Sequence, residues 1–293
     1  MRIAVTGAAG RLGSAIVARL DDPTRGPTAD VLGWARSDFD LDAPEDVSGR
    51  IAVDRPALVI HAAAWTDVDG CARDPELALR RNGEATATLA RACAGAGVSM
   101  LLVSTNEVFD GDRTDRRGYR PDDPVNPPNA YGRSKLAGEV GAAHAFGAAP
   151  DSAALGIVRT SWLFGPGKPD FPAKIVAAAR AAAEQGVALR LVTDEFGAPT
   201  YVPDLADAIA RLAAGDVRGI HHVVNAGLAS RADWARDVLE RVRIQVPFEE
   251  VSVRDFSRPS TPPRWGVLEP TALPGGPLRH WRDAMADRFA ATG

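Results

Sequence analysis

The chain has 293 residues, of which 45% are hydrophobic and 25% are charged, and its formal net charge is −4 at pH 7. This length and composition predict a globular protein of one large domain or two closely packed domains. The charge balance shows neither the basic stripe of a nucleic-acid-binding protein nor the like-charge run of a disordered tail, and no apolar run reaches the ~18 residues that a membrane span needs.

The two cysteines and the first residues indicate the compartment. Cys71 and Cys93 fall in predicted helices, and their spacing matches neither a metal-ligand motif nor a disulfide framework. The chain begins directly with a predicted strand, without the charged and then apolar pattern of a signal peptide. We therefore expect a cytoplasmic protein without a metal site.

A glycine-rich turn follows the first predicted strand. Residues 3–5 form a short apolar run, and glycine occupies positions 7, 10 and 13 before a helix with an apolar stripe. Glycine permits a tight turn and a close approach of backbone to a pyrophosphate, which the helix N-terminus then faces. The spacing is Gly-x-x-Gly-x-x-Gly rather than the more common Gly-x-Gly-x-x-Gly. The expected cofactor-binding residues of this turn are Gly7, Gly10, Arg11, Leu12 and Gly13.

The end of the second predicted strand indicates which dinucleotide binds. An acidic residue at this place would bind the adenosine 2′-hydroxyl of NAD, but the chain has Arg36 and Ser37 there. A guanidinium and a hydroxyl suit a 2′-phosphate instead. We therefore predict NADPH as the cofactor, with NADH remaining possible. The alternative interpretation is a solvated arginine at a strand end.

An acidic loop, Asp40-Leu41-Asp42, follows this strand. We expect Asp40 to accept a hydrogen bond from the adenine amino group and Leu41 to pack on the adenine ring. The chemistry of the residues favours this interpretation only weakly, because acidic loops are common in surface segments.

The third predicted strand, residues 57–60, runs into His61 and the small residues 62–64. Small side chains let backbone lie against a cofactor, whereas His61 is expected to be structural. A long helix is predicted after Pro75, and its apolar periodicity points Asn82 inward. A buried amide must be hydrogen-bonded, so Asn82 either pins backbone near the cofactor or braces the core.

Hydroxyl side chains end the fourth predicted strand, residues 98–103. Ser104 and Thr105 come directly after it. Because ligands bind beyond the carboxyl ends of the strands in open parallel sheets, these hydroxyls are well placed for a substrate carbonyl. The polar and proline-rich residues 106–130 that follow are expected to form a covering loop.

A tyrosine and a lysine four residues apart, Tyr131 and Lys135, form the candidate catalytic pair. Asn129 is a good N-cap, so both side chains are expected on one face of a helix, about one turn apart. A phenol has an ordinary pKa of about 10, and a neighbouring ammonium favours the phenolate. Such a tyrosine can donate a proton to a developing alkoxide. The alternative is a surface helix on which the pair occurs by chance.

The second half of the chain is predicted to continue the alternation of strands and helices. A strand over residues 155–159 leads to Trp162, and a helix over residues 171–184 carries Lys174, which faces either a phosphate or solvent. The further elements expected are strands over 189–192 and 220–224, helices after Pro203, over 232–242 and over 278–289, and an irregular proline-rich loop over 259–277.

The motifs that carry a family resemblance are residues 6–13, 40–42, 61–69, Asn82, 104–105, 131–139, 159–165, 194–200 and the Arg258-Pro259 pair. Together they resemble the extended short-chain dehydrogenase/reductase superfamily and, within it, the dTDP-4-dehydrorhamnose reductase family. The resemblance runs over nearly the whole chain, and segments 159–165 and 194–200 narrow it to the reductase branch.

The expected fold is a Rossmann-type doubly wound parallel sheet with a smaller C-terminal substrate-binding lobe. We expect residues 1–160 to form the NADP-binding domain and residues 161–293 to form the lobe. Segments near 190–225 are expected to return to the cofactor domain.

The resemblance implies roles for individual residues. Tyr131 donates the proton, and Lys135 holds the nicotinamide ribose and lowers the Tyr131 pKa. Thr105 hydrogen-bonds the reacting oxygen, and Trp162 walls the sugar pocket. Beyond the glycine turn, the expected cofactor-binding residues are Arg36, Ser37, Asp40, Leu41, Ala62, Ala63, Ala64, Asn82, Ser104, Tyr131 and Lys135. The expected substrate-binding residues are Thr66, Thr105, Asn106, Glu107, Trp162 and Lys174.

The chain departs from the family pattern at one place. The family usually carries Asp-Tyr after the catalytic threonine, whereas this chain has Asn106-Glu107. Related dehydratases carry Asp-Glu there and use the aspartic acid to protonate a leaving hydroxyl and the glutamate to remove a C5 proton. Asn106 cannot supply that acid, which disfavours dehydration. Glu107 leaves open a related 4-keto sugar nucleotide in place of the rhamnose precursor.

We therefore expect the NADPH-dependent reduction of the C4 ketone of a deoxysugar nucleotide, with dTDP-4-dehydro-L-rhamnose, which yields dTDP-L-rhamnose, as the first candidate. The alternatives are another 4-ketoreductase or epimerase of the superfamily, or a cofactor-binding regulatory subunit, since the methionine adenosyltransferase regulatory subunit resembles this family. The expected partner is a nucleotide sugar rather than a nucleic acid or a membrane, and a homodimer is possible.

Overall fold

The structure, a computed structural model, describes residues 1–25, 29–150 and 152–290. Its strands are β1 (Arg2–Thr6), β2 (Asp30–Trp34), β3 (Leu58–His61), β4 (Ser99–Thr105), β5 (Leu155–Thr160), β6 (Leu163–Phe164), β7 (Leu189–Val192), β8 (Phe196–Gly197), β9 (Thr200–Tyr201), β10 (Gly219–His222), β11 (Ala229–Ser230) and β12 (Phe248–Val251). Its helices are α1 (Arg11–Leu20), α2 (Val47–Asp54), α3 (Val68–Arg73), α4 (Pro75–Ala78), α5 (Ala85–Gly95), α6 (Ala130–Phe146), α7 (Phe171–Gln185), α8 (Val202–Ala213), α9 (Arg231–Arg241) and α10 (Trp281–Ala290).

Within the described residues, the large sheet has the strand order β2-β1-β3-β4-β5-β10, and all neighbouring strands are parallel. Parallel neighbours need crossover connections, which the alternation of strands and helices supplies. The order reverses at β1, because β2 lies on one side of it and the later strands lie on the other. In doubly wound sheets ligands bind at this reversal, beyond the carboxyl ends of the strands. The predicted fold class is confirmed.

Helices cover both faces of the large sheet. On one face α1 and α8 pack together over residues such as Ile3, Ile16 and Leu205. On the other face α2, α5 and α6 pack over Val59 and Leu89. Burial on both faces explains why the strands read as continuous apolar runs, since each strand side chain leaves water whichever way it points.

The long helix predicted after Pro75 is divided into parts. α4 ends at Ala78, a π-helical turn spans Leu79–Glu84, and α5 begins at Ala85. Such turns are frequent at functional sites. Asn82 lies on this turn and is 1% exposed. Its inward direction is therefore confirmed, and so is the long helix after Pro75, which contains this π-helical turn.

The second half of the chain divides between the large sheet and a smaller group of elements. α8 packs on α1 and β10 pairs with β5, so both belong to the layers of the large sheet. β7 pairs instead with β12, next to α7 and α9. The chain thus returns to the large sheet at α8 and β10. Within the described residues, 259–277 contain no helix or regular strand, as predicted.

In the described ranges, no helix combines the length and the apolar character that crossing a bilayer requires. Cys71 and Cys93 are buried free thiols. They lie in α3 and α5, in agreement with the prediction that both fall in helices.

Candidate active site

The glycine turn after β1 lies against the small-residue loop after β3. Gly7 has a φ of 67°, and its carbonyl accepts a hydrogen bond from the Gly10 N–H at 2.8 Å. A Cβ built on Gly7 would lie 2.9 Å from the backbone of Ala63, and one built on Gly13 would lie 2.1 Å from the Gly7 carbonyl oxygen. Glycine is thus required at both positions. The turn forms a cradle without side chains, which fits a pyrophosphate.

The helix that follows this cradle begins with Arg11 and Leu12. Leu12 is 8% exposed and packs into the core, so a ligand could meet its backbone N–H but not its side chain. Arg11 donates to the Lys168 carbonyl, which joins the start of α1 to the segment before α7. The N-cap residue is Gly10, which has no side chain to accept a hydrogen bond from the first N–H groups of the helix. The first N–H groups of α1 can therefore bind an anion.

A pocket of about 320 Å³ opens at the reversal of the strand order. It is lined by Gly7, Ala9, Gly10, Ala35, Arg36, Phe39, Asp40, Leu41, Asp42, Ala62, Ala63, Ala64, Trp65 and Arg81. The structure thus brings together the glycine turn, the end of β2, the acidic loop and the small-residue loop, although these segments are far apart in the chain. Ser37 is exposed beside this pocket, next to Arg36.

Arg36 is 72% exposed and bonds two carboxylates at the pocket mouth. Its Nε donates to Asp40 Oδ2 at 3.0 Å, and its Nη2 donates to Asp42 Oδ2 at 2.7 Å. Asp40 Oδ1 accepts the Asp42 backbone N–H at 3.0 Å. This backbone bond, followed by the Arg36 bond, holds the pKa of Asp40 below its ordinary value. Both Asp40 oxygens are engaged, whereas the predicted adenine contact would need one of them.

Buried hydroxyls and an imidazole connect the loops around the pocket. The Ala63 N–H donates to Thr6 Oγ1 at 3.1 Å, and Thr6 Oγ1 lies 2.7 Å from His61 Nδ1. His61 Nε2 lies 3.1 Å from Thr86 Oγ1, which donates its own proton to the Asn82 carbonyl at 2.7 Å. His61 must therefore carry its proton on Nε2 and accept from Thr6 at Nδ1. Burial lowers the pKa of His61 to about 3, so the ring stays neutral, as expected for a structural histidine.

Asn82 uses its side-chain amide on the loop after β3 and on α6. Its Oδ1 accepts the Trp65 N–H at 2.8 Å, and its Nδ2 donates to the Trp65 carbonyl and to Ser134 Oγ, both at 3.0 Å. Ser134 Oγ in turn donates to the Tyr131 carbonyl at 2.8 Å. Because Trp65 lines the pocket, these bonds favour the first of the two predicted roles, the pinning of backbone near the cofactor site.

Tyr131 lies in the first turn of α6. Asn129 is the N-cap, as predicted, and its side chain accepts the Gly132 N–H at 2.8 Å. Tyr131 is buried, and so is Thr105 at the carboxyl end of β4, whose hydroxyl acts on the phenol and favours its ionised form. The two hydroxyl groups predicted to contact the reacting oxygen therefore meet.

The pKa of Tyr131 is raised rather than lowered. Burial has the largest effect, Glu107 and Cys71 add to it, and the hydrogen bond with Thr105 opposes it. Lys135 instead donates from Nζ to the Val103 carbonyl at 2.9 Å. The prediction that Lys135 lowers the Tyr131 pKa is therefore wrong for this arrangement. The phenol is protonated at neutral pH, which is the form that a proton donor needs.

A buried carboxylate supports the charge of Lys135. Burial lowers the pKa of Lys135 to about 8, and Glu139 opposes this shift. Glu139 lies one turn further along α6 and forms a buried salt bridge of 2.7 Å with Arg159 in β5. The Ser104 hydroxyl, predicted to bind the cofactor, donates to Glu139. Ser104 thus belongs to the network that surrounds Lys135.

Asn106 and Glu107, which depart from the family pattern, have different surroundings. The Asn106 amide donates to the Gly266 carbonyl at 2.9 Å and so holds a distant segment. The Glu107 carboxylate accepts from Asn129 Nδ2 at 2.7 Å. Burial raises the pKa of Glu107, and the Asn129 bond opposes that rise. Glu107 also adds to the rise of the Tyr131 pKa, and its partner Asn129 stands two residues before Tyr131.

Aromatic and charged side chains from the second half of the chain surround Trp162. This residue has a φ of 46°, and its ring stacks on Trp234 with centroids 5.8 Å apart. The Arg231 guanidinium lies 3.6 Å from the centroid of the Trp162 ring and forms a 2.8 Å salt bridge with Glu195. The other side chains predicted to bind substrate are exposed, namely Thr66 and Lys174.

Comparisons with known proteins find relatives along the whole chain. The family model described as RmlD substrate binding domain matches residues 1–292. A dTDP-4-dehydrorhamnose reductase of Mycobacterium tuberculosis is 39% identical over 299 residues, which cover 99% of this chain and 93% of that protein. The chain belongs to the dTDP-4-dehydrorhamnose reductase family. Another member, from Streptomyces griseus, is 37% identical over 300 residues, with 98% and 92% of the two chains covered.

A solved structure from the same family supports the fold. The dTDP-4-dehydrorhamnose reductase of Bacillus anthracis, in complex with NADP, is 27% identical and superposes with a TM-score of 0.86 over 99% of each chain. The predicted family resemblance is therefore confirmed. In this chain, the cradle in which a Cβ at position 7 or 13 would collide with backbone fits a dinucleotide.

Sequence reasoning missed several side chains of this site. Arg81 lines the pocket and bonds Asp42 from a turn 39 residues away. Glu139 could have been found, because it lies four residues after Lys135 and so on the same helical face. Arg231 has no local sequence signal, since its contact with Trp162 depends on how distant segments pack.

Proposed function

We propose that this protein catalyses the NADPH-dependent reduction of the C4 ketone of a deoxysugar nucleotide, with dTDP-4-dehydro-L-rhamnose as substrate and dTDP-L-rhamnose as product. The observation that carries the proposal is the pairing of the buried Tyr131 phenol with the buried Thr105 hydroxyl at the carboxyl end of β4. The family relatives with this activity in their names, at 37% and 39% identity, support it.

NADPH supplies the hydride when it is bound, and NADH remains a secondary candidate. The NADP complex of the Bacillus anthracis relative supports this choice of cofactor. We assign the pyrophosphate to the glycine turn, the 2′-phosphate to Arg36 and Ser37, and the nicotinamide ribose to Lys135. The free N–H groups at the start of α1 and the exposed guanidinium of Arg36 support the first two assignments.

The ketone oxygen of the substrate is assigned to a position beside the Tyr131 and Thr105 hydroxyls. As hydride reaches the carbonyl carbon, the oxygen becomes basic, and Tyr131 gives it the phenolic proton while Thr105 holds it by a hydrogen bond. Ketone, hydride and proton together give the alcohol. The raised pKa of Tyr131 keeps its proton in place until the oxygen has become the stronger base.

The nucleotide sugar is assigned to the cleft between Tyr131 and Trp162. Arg231 lies over the Trp162 ring, and Arg231 and Arg258 both act to lower the pKa of Glu107. Guanidinium groups suit a diphosphate. Glu107 is assigned to the sugar hydroxyls, where it would help to select among 4-keto sugars.

The alternative activities differ in what they need from these residues. A dehydratase would need an acid at position 106, where the Asn106 amide instead donates to a backbone carbonyl. An epimerase would return the hydride to the sugar, with no net consumption of NADPH. A regulatory subunit would bind the cofactor without turnover, and the buried Tyr131–Thr105 pair favours catalysis over that role.

The experiment that tests the proposal is NADPH oxidation against a panel of 4-keto sugar nucleotides. We expect stoichiometric oxidation with dTDP-4-dehydro-L-rhamnose and a 4-hydroxyl in the product. Interconversion of sugars without loss of NADPH would support an epimerase instead. Binding of NADP⁺ with no oxidation by any 4-keto sugar would support a regulatory subunit and contradict the proposal.

The proposal also covers the organisation and surroundings of the protein. We assign NADP binding to residues 1–160 together with α8 and β10, and substrate binding to the rest of residues 161–293. The free thiols Cys71 and Cys93 support a cytoplasmic location. A homodimer is part of the proposal, and light scattering coupled to size-exclusion chromatography tests it.

A further inference from the structure

Two carboxylates stand where the 2′-phosphate is proposed to bind. Asp40 and Asp42 line the pocket, and both form ion pairs with Arg36. A phosphate monoester carries about −1.5 to −2 charges near neutral pH. With Arg36 as the sole cation, this end of the pocket would hold an excess of negative charge and would repel the phosphate that distinguishes NADPH from NADH.

Arg81 brings a second guanidinium to the same place. Its Nε donates to Asp42 Oδ1 at 2.6 Å, and its Nη2 donates to Asp42 Oδ2 at 2.8 Å. This is a bidentate pair, the arrangement in which a planar guanidinium matches a carboxylate. The guanidinium also lies 5.3 Å from the ring centroid of Trp65, in the loop after β3. Arg81 therefore joins two segments that line the pocket.

We propose that Arg81 is a positioning residue for cofactor selection, which holds Asp42 in a bidentate ion pair, neutralises it, and leaves the Nη2 of Arg36 free to turn from Asp42 to the 2′-phosphate. The inference rests on the proposed placement of that phosphate at Arg36.

The two ion pairs of Asp42 are unequal, and this inequality supports the division of roles. Arg81 makes two bonds to Asp42 and its side chain is 26% exposed, whereas Arg36 makes one bond and is 72% exposed. An exposed single bond contributes little stability, so an incoming phosphate can replace Asp42 on Arg36. The bidentate pair with Arg81 persists, because it is more shielded and geometrically fixed.

Calorimetric titration without any sugar nucleotide tests the inference. In Arg81→Gln, NADP⁺ and 2′,5′-ADP should bind about five- to tenfold more weakly, because Asp42 is no longer neutralised, whereas NAD⁺ and 5′-AMP should change by less than about twofold. Arg81→Lys keeps the positive charge but cannot form the bidentate pair, so its NADP⁺ affinity should lie between those of the wild type and Arg81→Gln. In Arg81→Gln combined with Asp42→Asn, NADP⁺ affinity should return to near the wild-type value.

The matched control is Arg80→Gln, since Arg80 is exposed on the same turn, and it should leave all four affinities unchanged. Thermal melts show whether each variant is folded. Equal weakening of NADP⁺ and NAD⁺ in Arg81→Gln would mean that Arg81 acts through the shape of the pocket, which would overturn the inference. Unchanged NADP⁺ affinity, or a loss that Asp42→Asn does not restore, would overturn it as well.

The Arg36→Ala variant tests the placement of the 2′-phosphate separately from the role of Arg81. If Arg36→Ala leaves the NADP⁺ affinity unchanged, the placement of the 2′-phosphate is wrong. If Arg36→Ala weakens NADP⁺ binding but Arg81→Gln does not, the placement holds and the role of Arg81 is wrong. Because the titrations contain no sugar, neither result depends on which ketone the protein reduces.

Discussion

Burial sets the protonation of the side chains in the active site. It lowers the pKa of Lys135 to about 8 and raises the pKa of Tyr131 above its ordinary value. Both shifts favour the neutral form, because charge is costly away from water. Tyr131 therefore keeps its proton across the neutral range, whereas Lys135 loses its proton just above that range. Lys135 is the group whose ionisation should control the rate at alkaline pH.

We predict that kcat/KM for the sugar nucleotide decreases above a pH of about 8, where Lys135 loses its charge. In Glu139→Gln the decrease should begin at a lower pH, because Glu139 raises the Lys135 pKa. The pH–rate profiles of wild type and variant check this. Glu184→Gln, on an exposed part of α7, is the control.

The Glu139→Gln variant also leaves Arg159 buried without its carboxylate, so its stability must be recorded beside its activity. If the variant unfolds, Glu139→Gln combined with Arg159→Met restores neutral packing and permits the same measurement. A decrease that begins at the same pH in wild type and in the folded variant would show that Glu139 does not act on Lys135.

Glu107 should act on the sugar and not on the cofactor. Its carboxyl is held by Asn129, two residues before Tyr131. We predict that Glu107→Gln raises the KM for the sugar nucleotide about tenfold, the effect of losing one hydrogen bond to a charged group, while the Kd for NADP⁺ stays unchanged. Initial rates measure the KM for the sugar nucleotide, and calorimetry measures the Kd for NADP⁺. Glu45→Gln, at an exposed site, is the control, and an unaltered KM in Glu107→Gln would remove Glu107 from the substrate site.

At the scale of elements, buried polar bonds join the strands and helices around the cleft. The series Thr6, His61 and Thr86 links β1 and β3 to α5, and Asn82 links the π-helical turn to α6. The ion pair of Glu139 with Arg159 links α6 to β5. Because these groups are buried, the loss of one leaves its partner without a hydrogen bond, which costs more than the loss of a surface bond.

Thr86→Val tests this connection with little change in shape. It removes the hydroxyl that accepts from His61 and donates to the Asn82 carbonyl. We predict a decrease of about 1–3 kcal/mol in the free energy of unfolding, measured by urea denaturation. Thr88→Val, partly exposed in the same helix, should change it by less than about 0.5 kcal/mol. Equal effects of the two substitutions would show that the buried series adds no stability.

At the scale of the whole molecule, the sequence was sufficient to predict the doubly wound sheet and the position of its ligand crevice. Apolar periodicity locates the strands and helices, and the carboxyl ends of parallel strands converge on one edge. For this reason the glycine turn, Arg36, the acidic loop and the small-residue loop could be expected together from the sequence alone. The cap at Asn129 and the inward direction of Asn82 followed from equally local rules.

Other features depend on contacts that no local pattern records. The pairing of Arg81 with Asp42 and the packing of Arg231 on Trp162 arise from the packing of distant segments. The π-helical turn replaces one stretch of a helix whose periodicity looked regular. The direction of the Tyr131 pKa shift was mispredicted because it depends on burial and on Glu107, whereas spacing shows only that Lys135 is near.

The central claim is that Tyr131 donates the proton to the oxygen of the sugar ketone. The most direct measurement is the single-turnover rate of Tyr131→Phe with NADPH and dTDP-4-dehydro-L-rhamnose, together with its NADP⁺ affinity. We predict a loss of about 10²–10⁴-fold in rate, the usual contribution of a positioned acid, with an NADP⁺ affinity close to that of the wild type. Reduction by Tyr131→Phe at the wild-type rate would contradict this mechanism.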